Sequence, residues 1–175
     1  MTQSNFPKAI VFDLDYTFWP CWCDAHISTP IRVQGKEIID AKKFRVKLYP
    51  DVVPILEYLK ERNVKIYTAS RTGTPRIAQK MLKLFELDSY IDGSEWGYNS
   101  KVEHINRLVT RHNKDLDEED KEYLKYEDMC LFDDEYRNSD VERLGVTFCH
   151  LVDEKLTWVD FRKGIQGWCS GVRAD

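Results

Sequence analysis

Lys8-Ala-Ile-Val-Phe-Asp13-Leu-Asp15-Tyr-Thr17 is the stretch on which the reading of this chain turns. An uninterrupted apolar run between a lysine and an aspartate describes a short strand buried on both faces, the pattern of a parallel sheet. The strand is expected to end near Asp13. Side chains alternate along a strand, so Asp13 and Asp15 face one side while Leu14 turns to the core, and both carboxylates can serve a single reacting centre.

Working outward, helical and strand signals alternate. Val52, Ile55, Leu56 and Leu59 repeat at helical spacing after Asp51, with Pro54 tolerable in the first turn and a stop near Asn63. Val64–Ala69 reads as the second strand and Ser70-Arg-Thr-Gly-Thr74 as a polar loop. Thr74 before Pro75 opens a helix whose apolar face carries Ile77, Met81, Leu84 and Phe85. A short strand is expected at Tyr90–Ile91. Ser100-Lys-Val-Glu103 matches a capping box and starts a helix with Val102, Ile105 and Leu108 on its apolar side. Met129–Phe132 is a further buried strand, closed by Asp133-Asp134; Ser139-Asp-Val-Glu142 is a second capping box before Gly145; Val146–Leu151 is a strand. Thr157–Cys169 reads as a closing helix with Trp158, Phe161, Ile165 and Trp168 toward the body. The fold class is therefore α/β, a doubly wound, mainly parallel sheet, in one domain over 1–175.

Between Pro20 and Pro50 lies too little chain for a second domain. Residues Ile31–Val33 and Phe44–Leu48, around Gln34-Gly35-Lys36, describe a small hairpin flap at about 20–50 and no large cap.

Composition narrows the partners. With 42% hydrophobic and 32% charged residues the chain is expected to fold without a disulfide framework or structural metal. Lys and Arg number 26 against 30 Asp and Glu, a net charge of −4 that does not suggest nucleic acid. No apolar run approaches the ~18 residues of a spanning helix, and the amino terminus lacks a signal-peptide layout, so a location in the cytoplasm, or in cytoplasm and nucleus both, without membrane contact is expected. The five cysteines, at 21, 23, 130, 149 and 169, lack zinc-site spacing and read as reduced thiols outside the chemistry. The acidic run from Asp115 to Glu122 reads as a solvated turn.

In open sheets of this kind ligands bind beyond the carboxyl ends of the strands. Those ends are unusually polar here: Asp13 and Asp15, then Ser70 and Arg71, then Lys101 at a helix start, then Asp133 and Asp134. Gathered carboxylates need a counter-charge, and Mg²⁺ suits hard oxygen ligands and is usually shared with a phosphate. Lys101 in the first turn opposes the helix dipole, at a cost of about 0.3–1 kcal/mol when exposed, so something anionic is expected against it. A phosphoryl group would gain both the ammonium and the helical N–H donors.

These residues carry a resemblance. Asp13-Leu-Asp15-Tyr-Thr17 resembles the first motif, DxDxT, of the haloacid dehalogenase (HAD) superfamily, with Ser70, Lys101 and Asp133-Asp134 resembling its second, third and fourth. Asp13–Pro20, Ala69-Ser-Arg-Thr72, Ser100-Lys-Val102 and Phe132–Asn138 are similar to the magnesium-dependent phosphatase-1 group within it, where Tyr16 replaces the superfamily's usual glycine. The resemblance implies a HAD-like Rossmannoid fold and phosphoryl transfer through an aspartyl-phosphate. It implies Asp13 as nucleophile, Asp15 as acid and base, and Mg²⁺ held by the Asp13 and Asp133 carboxylates and the Asp15 main-chain carbonyl. Ser70 and Lys101 would hold phosphoryl oxygens, with Asp134 binding a metal water or orienting Lys101. Arg71 is expected to meet a substrate anion or pair with an acid near the flap.

A small flap implies an open site, fit for a phosphoprotein side chain, phosphotyrosine included, or for a small sugar phosphate. Tyr16, Phe18, Trp19 and Trp22 are expected either to line its entrance or to pack the flap onto the sheet. The competing reading is a non-catalytic phospho-acceptor or phospho-ligand-binding signalling domain. Receiver domains gather similar residues, but their acceptor Asp follows a middle strand. The sequence leaves the oligomeric state open.

Overall fold

The computed structural model describes residues 5–171. β1 (Ala9–Phe12) is the centre of a five-stranded sheet of order β6-β5-β1-β7-β8, with β5 at Lys65–Ser70, β6 at Gly93–Trp96, β7 at Met129–Asp133 and β8 at Thr147–His150. Every pairing in it is parallel, and β1 is flanked by β5 and β7. All four β1 residues are fully buried, as the unbroken apolar run requires of a strand covered on both faces.

Alternation along β1 divides the core. Ile10 and Phe12 pack with α2 (Val52–Glu61), α3 (Pro75–Leu84) and α5 (Trp158–Ser170) through Ile55, Leu59, Met81 and Phe161. Ala9 and Val11 face α4 (Lys101–His112) through Ile105, Leu108 and Val109. Phe12 stacks on Phe132 with centroids 5.6 Å apart, and Phe132 on Phe161 at 5.7 Å, so strands and closing helix share one aromatic column. Removing a ring from such a column costs about 3–5 kcal/mol.

Local chemistry sets the ends. Asn63 stops α2 by entering the left-handed region at φ 58, which asparagine tolerates. Ser100 caps α4, its hydroxyl accepting from the Glu103 N–H at 3.2 Å. Thr157 caps α5 in the same way through Asp160. Thr74 precedes Pro75 as expected but makes no side-chain cap bond.

The structure corrects two expectations about the sheet and its connections. Tyr90–Ile91 is not a strand: Asp88–Tyr90 is a 3-10 turn, and the edge strand is Gly93–Trp96. Its signal is hidden because this edge strand is half-buried throughout and tied inward by polar bonds, Ser94 Oγ to Thr68 Oγ1 at 2.5 Å and Trp96 Nε1 to the same oxygen at 3.0 Å. Ser139 caps nothing, because a 3-10 segment already runs from Tyr136 to Leu144, started by the Glu135 N–H bonding back to Asp133 Oδ1 at 2.8 Å. It ends, as expected, at Gly145 with φ 108.

The flap contains more sheet than the hairpin read from sequence. A four-residue helix α1 (Cys23–His26) leads into three antiparallel strands, β2 (Arg32–Gln34), β3 (Glu37–Ile39) and β4 (Arg45–Lys47), ordered β2-β3-β4. The overlooked member is β3, which returns directly after Gly35 takes φ 61 at the turn. Ile38 and Val46 are buried and join the main core, so the flap is rooted in the sheet's own apolar body. The acidic run 115–122 is a turn exposed over most of its length, as expected. No helix among the described residues is long and apolar enough to cross a membrane.

Candidate active site

The carboxyl ends of β1, β5 and β7 and the start of α4 converge on one cavity of about 590 Å³. Asp13, Asp15, Ser70, Arg71, Lys101 and Asp134 all line it. Asp133, from the end of β7, sits fully buried beneath.

Lys101 is the centre of the arrangement. Only 1% exposed, its Nζ donates to Asp13 Oδ1 at 2.9 Å and to the Ala69 carbonyl at 2.6 Å, and lies 3.0 Å from Asp133 Oδ2. An ammonium has three protons, and all three are directed. The anion expected opposite its helix start is thus partly supplied by the protein's own carboxylates. Burial alone would lower the Lys101 pKa, but Asp13 and Asp133 outweigh it and hold the ammonium charged.

Asp13, Asp133 and Asp134 each offer a carboxylate oxygen, and these lie within 4.8 Å of one another. One lysine cannot neutralise three carboxylates. Burial, then repulsion from Asp133, pushes Asp13 well above the usual carboxylate range. Burial likewise drives Asp134 up to about 6. Asp134 Oδ1 is buried without a hydrogen-bond partner, an uncommon state for such an atom. Hard oxygens, surplus negative charge and an unsatisfied buried acceptor are what a small divalent cation would resolve, so the residues fit Mg²⁺. Asp134 thus lies in one carboxylate cluster with Asp13 and Asp133.

Asp15 behaves differently. The strand ends at Phe12, and Tyr16 enters the left-handed region at φ 57, so strand alternation does not extend to Asp15. Its carboxylate accepts from Trp19 Nε1 at 2.7 Å and the Cys23 N–H at 3.2 Å, both on Oδ1. It lies outside the three-carboxylate group yet still lines the cavity. Burial raises its pKa against the lowering effect of those bonds.

Ser70 is buried at the end of β5, its Oγ accepting from the Thr72 N–H at 3.2 Å. Arg71 pairs with neither a flap acid nor the carboxylate cluster; its Nη2 donates to Asn138 Oδ1 at 2.6 Å, leaving Nε buried and unpartnered. Asn138 in turn donates from Nδ2 to Asp133 Oδ2 at 2.9 Å. Asn138 closes the Phe132–Asn138 stretch that carries the resemblance, but a buried amide has no signal in sequence that assigns it a partner. Trp19 and Cys23 were also missed as partners of Asp15. The aromatics divide: Phe18 and Trp19 are fully buried, whereas Trp22 is 49% exposed on the cavity wall with Tyr16 edge-on to it at 5.4 Å.

A doubly wound parallel sheet with an aspartate cluster and a buried lysine at its carboxyl edge is the arrangement that the HAD-like motifs of the sequence imply. A HAD-superfamily hydrolase from Ehrlichia chaffeensis shares that fold at a TM-score of 0.63 and 12% identity, over 94% of this chain and 97% of that one. The chain is 37% identical over 151 residues to magnesium-dependent phosphatase 1 of Homo sapiens, covering 85% of this chain and 80% of that one. It is likewise 37% identical over 159 residues to a HAD-like hydrolase superfamily protein of Schizosaccharomyces pombe, 82% and 85% of the two chains. The acid phosphatase family model matches residues 5–171. The chain belongs to that acid phosphatase family, among the magnesium-dependent phosphatases of the HAD superfamily.

Proposed function

We propose that the protein hydrolyses phosphomonoesters with Mg²⁺ by way of an aspartyl-phosphate on Asp13. The observation that carries this reading is the Lys101 ammonium bonded to Asp13 Oδ1 at 2.9 Å on the floor of a cavity wide enough for a phosphoryl group. A carboxylate is a weak nucleophile, and in-line placement beside fixed positive charge is what makes it useful.

Asp13 attacks phosphorus while Asp15, its pKa raised by burial, protonates the departing oxygen. Asp15 then takes a proton from the water that attacks the aspartyl-phosphate, releasing phosphate and restoring Asp13. Ser70 and Lys101 hold the phosphoryl oxygens as charge moves onto them. When bound, Mg²⁺ supplies charge neutralisation at those oxygens. The Asp13 and Asp133 carboxylates, the Asp15 main-chain carbonyl and Asp134, directly or through a water, would hold it. Asn138 fixes Asp133 and connects it to Arg71, which lines the cavity and can meet a phosphoryl or second anionic group of the substrate.

For the substrate, the open cavity and the exposed Trp22 face support a phosphoprotein side chain, phosphotyrosine included, or a small sugar phosphate; phosphotyrosine and a sugar each present a ring face to an aromatic wall. The test is p-nitrophenyl phosphate hydrolysis with Mg²⁺, with EDTA, and by Asp13→Asn. Turnover that needs Mg²⁺ and falls at least about 10³-fold in the variant is expected. A fully active Asp13→Asn protein discards the nucleophile.

A further inference from the structure

We propose that Trp19, together with Cys23 at the root of the flap, is the positioning element of the Asp15 carboxyl, anchoring Oδ1 so that Oδ2 is the oxygen that carries and returns the proton. The proposal rests on Asp15 being the acid and base of the reading above.

The geometry is specific to one oxygen. The single N–H of the Trp19 indole and the main-chain N–H of Cys23 both end on Oδ1, at 2.7 and 3.2 Å. Oδ2 has only the Cys23 thiol, at 3.7 Å. A carboxyl keeps its proton on the oxygen that is not already accepting N–H bonds, so the anchoring selects Oδ2. Both anchors are neutral and remain satisfied whether Asp15 is charged or not.

The anchor itself is rigid. Trp19 is fully buried, stacked on Phe85 with centroids 5.9 Å apart and edge-on to Phe18 at 6.4 Å. The Tyr16 N–H closes on the Trp19 carbonyl at 2.8 Å, which locks the turn between the acid and its partner. Cys23 is pinned from the other side: its Sγ lies 3.2 Å from Thr72 Oγ1, and the adjacent Asp24 carboxylate accepts from the Gly73 N–H at 3.2 Å. The root of the flap thus ties Asp15 to the loop that follows Ser70. The flap in this chain orients the proton donor as well as bordering the cavity.

In the first step the proton leaves Oδ2 for the ester oxygen as its bond to phosphorus breaks and the Asp13–phosphorus bond forms. In the second, Oδ2 takes a proton from water as the water oxygen bonds phosphorus and the Asp13–phosphorus bond breaks.

The experiment compares kcat/KM, which reports the first transfer alone, for glycerol 2-phosphate and 2,4-dinitrophenyl phosphate. The alkoxide must be protonated to leave; the dinitrophenolate leaves without help. Trp19→Phe is expected to lower kcat/KM for the alkyl ester about 10- to 100-fold and for the aryl ester no more than about twofold. Asp15→Asn is expected to show the same asymmetry more strongly. Equal losses on both esters in Trp19→Phe, with the asymmetry kept in Asp15→Asn, overturn the positioning role and leave the acid assignment standing. No asymmetry in Asp15→Asn overturns both. If the phenylalanine variant does not fold, an isosteric residue at position 19 with sulfur in place of the indole N–H removes the donor alone, and the same ratio decides.

Discussion

Asp13 and Asp15 stand two residues apart and live in opposite surroundings. Asp13 is bonded to a buried ammonium and crowded by two further carboxylates, Asp133 and Asp134. Asp15 is held by an indole and a main-chain amide, with no cation among its hydrogen-bond partners. The first setting fixes one carboxylate oxygen and concentrates negative charge that a cation can offset; the second lets a carboxyl gain and lose a proton without rearranging its partners. In the proposed mechanism two identical side chains take two jobs because one belongs to the sheet edge and the other to the root of the flap.

The comparison breaks most sharply with divalent cation. Mg²⁺ is expected to raise the unfolding temperature of the wild-type protein, since a ligand bound only by the folded state stabilises it. Asp13→Asn should lose most of that rise along with turnover. Asp15→Asn should keep the rise while losing about 10²–10⁴-fold in turnover of an alkyl phosphate. Thermal unfolding with and without Mg²⁺, beside kinetics on the same samples, reads both; loss of the rise in Asp15→Asn would merge the two environments.

A smaller effect sharpens the metal side alone. Asn138→Ala removes the amide that fixes Asp133 Oδ2 and releases Arg71. Apparent Mg²⁺ affinity should weaken about 10- to 100-fold with the proton-transfer asymmetry untouched. Titration of activity against Mg²⁺ measures it, and an unchanged midpoint would make Asn138 a packing residue.

The smallest effect lies beneath the cluster, one turn along α4 from Lys101. His104 is fully buried, and burial, followed by the positive charges of Lys101, Arg71 and Arg107, lowers its pKa to about 4. The unfolded chain binds this proton near pH 6.5 and the folded one does not until about 4, so the stability it contributes is present above 6.5 and is lost as pH falls through that window. The loss amounts to about 3 kcal/mol at most. His104→Gln should flatten the stability profile between pH 6.5 and 4 in urea unfolding; an unchanged slope would assign the acid sensitivity elsewhere.

How much was legible in the sequence follows from which interactions are local. The apolar run before Asp13 requires a strand covered on both faces, and the helical spacings in α2, α4 and α5 require faces to cover it. The strand-end residues Asp13, Ser70, Lys101, Asp133 and Asp134 could be picked out because a parallel sheet delivers strand ends to one edge. Where a strand was polar, as at Gly93–Trp96, or a turn was started by a side chain across a site, as at Asp133 and Glu135, the local pattern had nothing to report.

The sequence by itself determined the sheet, its winding and the charges that must meet at its carboxyl edge, because burial periodicity and chain connectivity suffice for those. Only the tertiary structure decided that Lys101 spends its protons on Asp13, Asp133 and Ala69, that Asp134 lies in the carboxylate cluster, and that Trp19 turns its N–H onto Asp15. Such pairings join residues through space at hydrogen-bond range, and a directional bond depends on where each side chain ends, which periodicity does not encode.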